Sequence, residues 1–157
     1  MTSLWNVLWA APAATGFALV FNVRKRALPL VAVIAVLAKF IAVISTREGL
    51  SPIAADFIAA FVVGAIAYSI APRLGEASPV FAFAPVIPLV PGAAIAKAFT
   101  LSFTTWIMNP AVSNSQNTQD FVMAASSGLS AGAMVLGLCL GAISPMLLLP
   151  RARTAED

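Results

Sequence analysis

Charged residues cut this chain into long apolar runs, and the lengths of those runs predict its elements. A helix needs roughly 20 mostly apolar residues to cross the ~30 Å hydrocarbon core of a bilayer. Five runs are candidates: 4–23, closed by Arg24-Lys25-Arg26; 27–46, closed by Arg47-Glu48-Gly49; 53–72, closed by Arg73; 79–108; and 121–149, which lies in an uncharged stretch long enough for tilt or an overhang. The expected fold class is all-α: one polytopic membrane domain over 1–157 with five transmembrane helices. A re-entrant fourth segment would leave four.

The fourth run breaks its own pattern. The uncharged stretch 77–96, which overlaps its start, contains Pro85, Pro88 and Pro91-Gly92. A proline in a helix interior loses its own N–H bond and clashes with the carbonyl four residues back, at about 3 kcal/mol. The PxxPxxPG spacing therefore predicts a broken helix, with carbonyls freed at Phe81, Ala84 and Ile87. Lipid offers them no donors, so such a break belongs against other protein or a water-filled cavity, and many transporters build a substrate site this way.

Composition agrees with the spans: of 157 residues 61% are hydrophobic and 10% charged, with mean hydropathy +0.96. The net charge of +3 does not point to nucleic acid, because the cations sit at span ends and form no stripe with interleaved aromatics. Cys139 is the single cysteine and there is no histidine, which excludes a disulfide, a CxxC redox site, histidine metal sites and Ser-His-Asp catalysis. No cofactor or metal is expected. Met1-Thr2-Ser3 lacks the basic start of a signal peptide, so 4–23 reads as a retained span.

Threading five spans puts Arg24, Lys25, Arg26, Arg73, Arg151 and Arg153 on one side and Arg47 on the other. The positive-inside rule makes the rich side cytoplasmic, with the N-terminus outside and the C-terminus inside. The polar stretch 109–120, with Asn114, Gln116, Asn117 and Gln119, becomes an external loop near Trp106 at the interface. An odd span count has a consequence for assembly: two homologous five-span units in succession sit with opposite orientations, and inverted repeats of that type recur in transporters. The chain looks like half of something, and a homo-oligomer or a partner subunit would supply the rest.

Several residues could carry chemistry. Gly92 opens a segment that restarts a helix easily, placing unpaired N–H groups and a positive dipole end inside the membrane, with Lys97 one to two turns on. Together they suit a carboxylate-bearing solute; the bland alternative is a kink with Lys97 snorkelling. Lys39 lies about two-thirds along the second span and faces protein or water, as a solute counter-charge or snorkelling outward. Asp56 follows Ser51-Pro52 at the edge of the third span and reads as a helix-start residue. No carboxylate falls near a bilayer centre, so groups for proton coupling would come from a partner. Gly128 to Gly132 and Gly137 to Gly141 give the last run two GxxxG spacings, read as a packing face. An intramembrane enzyme is not expected: Ser102 and Lys97 point from divergent helix faces.

Two motifs, Pro12-Ala13-Ala14-Thr15-Gly16-Phe17-Ala18-Leu19-Val20-Phe21-Asn22-Val23-Arg24 with Arg26-Ala27-Leu28, and Phe83-Ala84-Pro85-Val86-Ile87-Pro88-Leu89-Val90-Pro91-Gly92, resemble the threonine/serine exporter family. The likeness is to its short form, equivalent to the C-terminal membrane half of the full-length exporters. It implies a five-span inner-membrane subunit that works with a larger partner and exports threonine and serine, or in some two-subunit members dicarboxylates such as succinate. The large cytosolic N-terminal domain of the full-length exporters is not expected in this short form, and activity without a partner is not expected either. The motifs carry over Gly16, Phe17 and Asn22, and Pro88, Pro91 and Gly92; Lys39 and Lys97 lie outside both. Asn22 also has its own reading, as a buried amide that caps a helix or bonds across helices.

The expectation is thus a lipid-embedded exporter subunit with substrate-binding residues Pro88, Pro91, Gly92, Lys97, Lys39 and Asn22, supported by Gly16, Phe17 and Pro85. The rival from another class is a non-transporting scaffold that stabilises a larger complex.

Overall fold

The computed structural model describes residues 5–75, 77–103 and 115–148. The stretch 109–114, Trp106, Arg151 and Arg153, expected to form a loop, an interface anchor and two cytoplasmic charges, lie outside them. The described residues form seven α-helices and no strand: α1 Trp5–Leu8, α2 Ala10–Val20, α3 Leu28–Arg47, α4 Pro52–Leu74, α5 Ser78–Val86, α6 Gly92–Phe103 and α7 Ser115–Leu148. Short 3-10 turns at Lys25–Ala27 and Ile87–Leu89 precede α3 and follow α5. Helix α7 starts at Ser115, so Gln116, Asn117 and Gln119 are helical rather than loop.

Three helical stretches, Lys25–Arg47, Pro52–Leu74 and Thr118–Leu148, are long and apolar enough to span a bilayer, and the interrupted pair Phe81–Leu89 with Gly92–Phe103 makes a fourth if counted as one crossing. The first run differs from the rest: α2 has 11 residues, with only Trp9 between it and the single turn of α1. Sixteen residues of helix rise about 24 Å, short of the ~30 Å core.

Caps explain the boundaries. Ser51 accepts from the Ala54 N–H at 3.3 Å and Pro52 occupies the first position of α4, so Ser51, not Asp56, starts that helix. Helix α3 ends where the Leu50 N–H reaches the Ser45 carbonyl and Gly49 N–H reaches Thr46, a Schellman closure that turns the chain into α4 within four residues. Helix α4 ends at Gly75, whose φ of +70° favours glycine.

The chain divides into two compact units, 5–89 with 137–148, and 90–136. In the first, α3 packs on α2, α4 and α5. Its core is built from small residues: Ala14, Ala18, Ala35, Ala38, Ala59, Ala60, Ala67, Ala71 and Ala84 are inaccessible, with Phe81, Val31 and Leu138 as the larger members. Meanwhile Leu19, Val20, Val33, Leu37, Phe40, Leu140 and Ile143 are exposed. Small residues inside and large apolar ones outside is the arrangement a lipid solvent rewards, since association there rests on close backbone approach rather than on hiding apolar surface. Gly141 supplies that approach: a Cβ on it would lie 2.6 Å from the Phe57 carbonyl oxygen and 3.2 Å from the Phe61 nitrogen, and one on Gly64 would collide with the Ala142 carbonyl. The Gly137–Gly141 spacing therefore packs α7 against α4 within the chain. In the second unit Gly128 faces Ala98 of α6, while Gly132 meets nothing within 4 Å.

Candidate functional site

The proline motif resolves into three different outcomes. Pro85 is buried inside α5, which continues past it to Val86. Pro88 falls in the 3-10 turn, and the helix stops before Pro91. Beyond the stop, the Gly92 N–H turns back onto the Val90 carbonyl at 2.8 Å, while Ala94 and Ile95 bond the Pro91 carbonyl at 3.0 and 3.1 Å and launch α6.

This rearrangement leaves the Pro88 carbonyl without a backbone donor. Its 3-10 partner would be residue 91, a proline with no N–H, and its α-helical partner would be Gly92, whose N–H is already used. Lys39 fills the vacancy: its Nζ donates to the Pro88 oxygen at 3.4 Å from α3. An intramembrane ammonium and an intramembrane orphan carbonyl are each costly in lipid, and here each relieves the other.

The same lysine lines a cleft of about 240 Å³ with Ala42, Val43, Thr46, Arg47 and Asp56. Asp56 is half-buried on the second turn of α4, within reach of the Lys39 field. Heights along the helices explain why both line one cleft. Lys39 lies eight residues, about 12 Å, from the α3 end, and Asp56 four residues, about 6 Å, from the α4 start across the tight turn. The reading of Asp56 as a helix-start residue gave no sign of this shared cleft; the signal in the sequence is an acid and two bases, Lys39 and Arg47, on consecutive helices joined by a short turn.

The other expected residues stand apart. Asn22 is exposed, not buried, and caps α2 with φ +57°: its N–H bonds the Leu19 carbonyl at 3.0 Å and the Val23 N–H bonds Ala18 at 2.9 Å. Gly16 and Phe17 are exposed on α2, with open space around Gly16. Pro91, Gly92 and an exposed Lys97 belong to the second unit. Among the described residues no group of three His, Cys, Asp or Glu could hold a metal.

A sequence profile of the family described as Threonine/Serine exporter, ThrE, matches residues 6–147. The chain belongs to the threonine/serine exporter family. It is a multi-pass membrane protein of a transporter family, and the break and the α2 cap described above fall in the two segments that carry the family likeness. An uncharacterized protein of Haemophilus influenzae is 30% identical over 144 residues, covering 87% of this chain and 46% of the relative. The chain thus spans about half the length of the curated relative it matches. No solved structure matches it.

Proposed function

We propose that this chain is one membrane half of a secondary exporter in the cell inner membrane, working with a larger subunit of the same family and moving threonine or serine. Membership of the exporter family and the half-length match to a longer relative support the two-part reading. The observation that carries the site is Lys39, which holds the Pro88 carbonyl at the helix break and also lines the cleft containing Asp56. A free amino acid carries a carboxylate and an ammonium. A cleft presenting Lys39, Arg47 and Asp56 offers a partner to each charge, whereas a dicarboxylate gains from the two cations but is repelled by Asp56 and leaves that carboxylate without a counter-charge from the solute. Pro88, Pro91 and Gly92 shape the break, and alternating access moves this half against its partner.

The test is efflux of labelled threonine, serine and succinate from cells expressing this chain, the larger subunit, or both. Efflux of threonine or serine with both subunits alone is the expected result. Equal efflux by the larger subunit without this chain would leave it a scaffold, and efflux of succinate alone would overturn the amino-acid assignment.

A further inference from the structure

The strongest positive field in the first unit lies away from the break. Arg24, Lys25 and Arg26 lead into α3, and Arg73 closes α4. Because α3 and α4 are neighbours running in opposite directions through a four-residue turn, the start of one and the end of the other share one end of the unit. There the four cations line a single cleft of about 770 Å³, floored in part by Ala27 and Leu74.

This cleft is built, not merely a loop rich in charge. The Arg24 Nη1 donates to the Leu74 carbonyl at 3.1 Å, tying segments 50 residues apart and capping the C-terminal end of α4. Gly75 makes that seat available: a Cβ there would lie 2.5 Å from Nη1, and its φ of +70° disfavours any other residue. A topogenic charge bias requires cations near the span end but no concavity and no clipped guanidinium. Among the described residues the cleft lining holds four cations and no carboxylate. Their mutual repulsion falls when an anion enters.

We propose that this cleft binds the phosphodiester headgroup of an anionic phospholipid. Its position at the ends of two helices long enough to span a bilayer puts it at headgroup level. Guanidinium groups recognise phosphate oxygens through paired N–H donors, and basic pockets between transmembrane helices are sites of anionic headgroup binding. The apolar Ala27 and Leu74 beside the cations suit the glycerol and upper acyl chain of a lipid better than a free ion. Bound there, a lipid would clamp the start of α3 to the end of α4.

Thermal unfolding of the full chain in neutral detergent tests this, with added dioleoyl phosphatidylglycerol, dioleoyl phosphatidylcholine or inorganic phosphate. Phosphatidylglycerol should raise Tm saturably, by roughly 5 °C, and neither phosphatidylcholine nor phosphate should match it. Arg73→Gln should remove most of the gain, Arg73→Lys should keep part of it, and Arg47→Gln, an equal charge loss at the opposite end of the α3–α4 pair, should leave it intact. An equal rise with phosphatidylcholine would overturn the headgroup, and an equal rise with phosphate would overturn the lipid as its source. Equal losses in the Arg47 and Arg73 variants would mean diffuse charge rather than a site. Should Arg73→Gln fail to fold, the comparison of lipids on the unmodified chain still decides the matter.

Discussion

Lys39 bonds the Pro88 carbonyl and lines the cleft that holds Asp56, and separating the two roles is the sharpest residue-scale test. Lys39→Met keeps the length of the stem but removes both the donor to Pro88 and the charge facing Asp56. Loss of a charged hydrogen bond to a half-buried carbonyl costs about 1.5–3 kcal/mol, so this variant should unfold at lower temperature and also fail in efflux. Asp56→Asn leaves the Pro88 contact in place. It should lower apparent affinity for threonine about tenfold or more while membrane abundance stays normal, and unchanged affinity in a concentration series would remove Asp56 from the site. Lys39 was legible as an intramembrane cation in need of company, because lipid makes any such lysine conspicuous. Its partner was not, since the orphaned carbonyl arises only after Gly92 commits its N–H to Val90. Asn22 shows the converse: an asparagine followed by an apolar residue at the end of a helix is a C-cap signal, and reading it as buried neglected the left-handed turn that exposes its amide.

At the scale of elements, the prolines decide shape unequally. Pro85 is absorbed within α5, so the interruption depends on Pro88 and Pro91. Changing both to alanine restores a donor at position 91 for the Pro88 carbonyl and removes two ring clashes, worth about 3 kcal/mol each in a helix interior. A continuous helix should follow, with higher thermal stability and efflux reduced to background at normal abundance; retained efflux would show that transport does not use the break. The glycines act in the opposite sense. Gly141→Leu would drive a side chain into the α4 backbone at Phe57 and Phe61, where nothing flexible can yield. A loss of about 1–3 kcal/mol is expected, visible as a lowered Tm, while the same change at open Gly132 should be near neutral. The GxxxG spacing made a packing face legible in α7, but the target helix and the matching Gly64 in α4 depend on three-dimensional pairing that a one-dimensional period does not contain.

For the whole molecule, the apolar runs anticipated the all-helical membrane architecture well because bilayer thickness imposes a length on each crossing. They were least informative where length is marginal: the helix over 10–20 is shorter than its apolar run, since Asn22 closes it early. The orientation of the whole rests on charge asymmetry, and the α3–α4 hairpin offers a direct way to read it. Its tight turn lies at one end, and the Lys25 and Leu74 ends lie together at the other. With Cys139 changed to alanine, a cysteine at exposed Leu50 should react with an impermeant maleimide in intact cells, while one at Ala77 should react only after permeabilisation. That pattern is the one the positive-inside rule predicts from Arg24, Lys25, Arg26 and Arg73 at one end of the hairpin. The reverse pattern would invert the chain in the membrane, and with it the leaflet that supplies any lipid at the Arg24–Arg73 cleft.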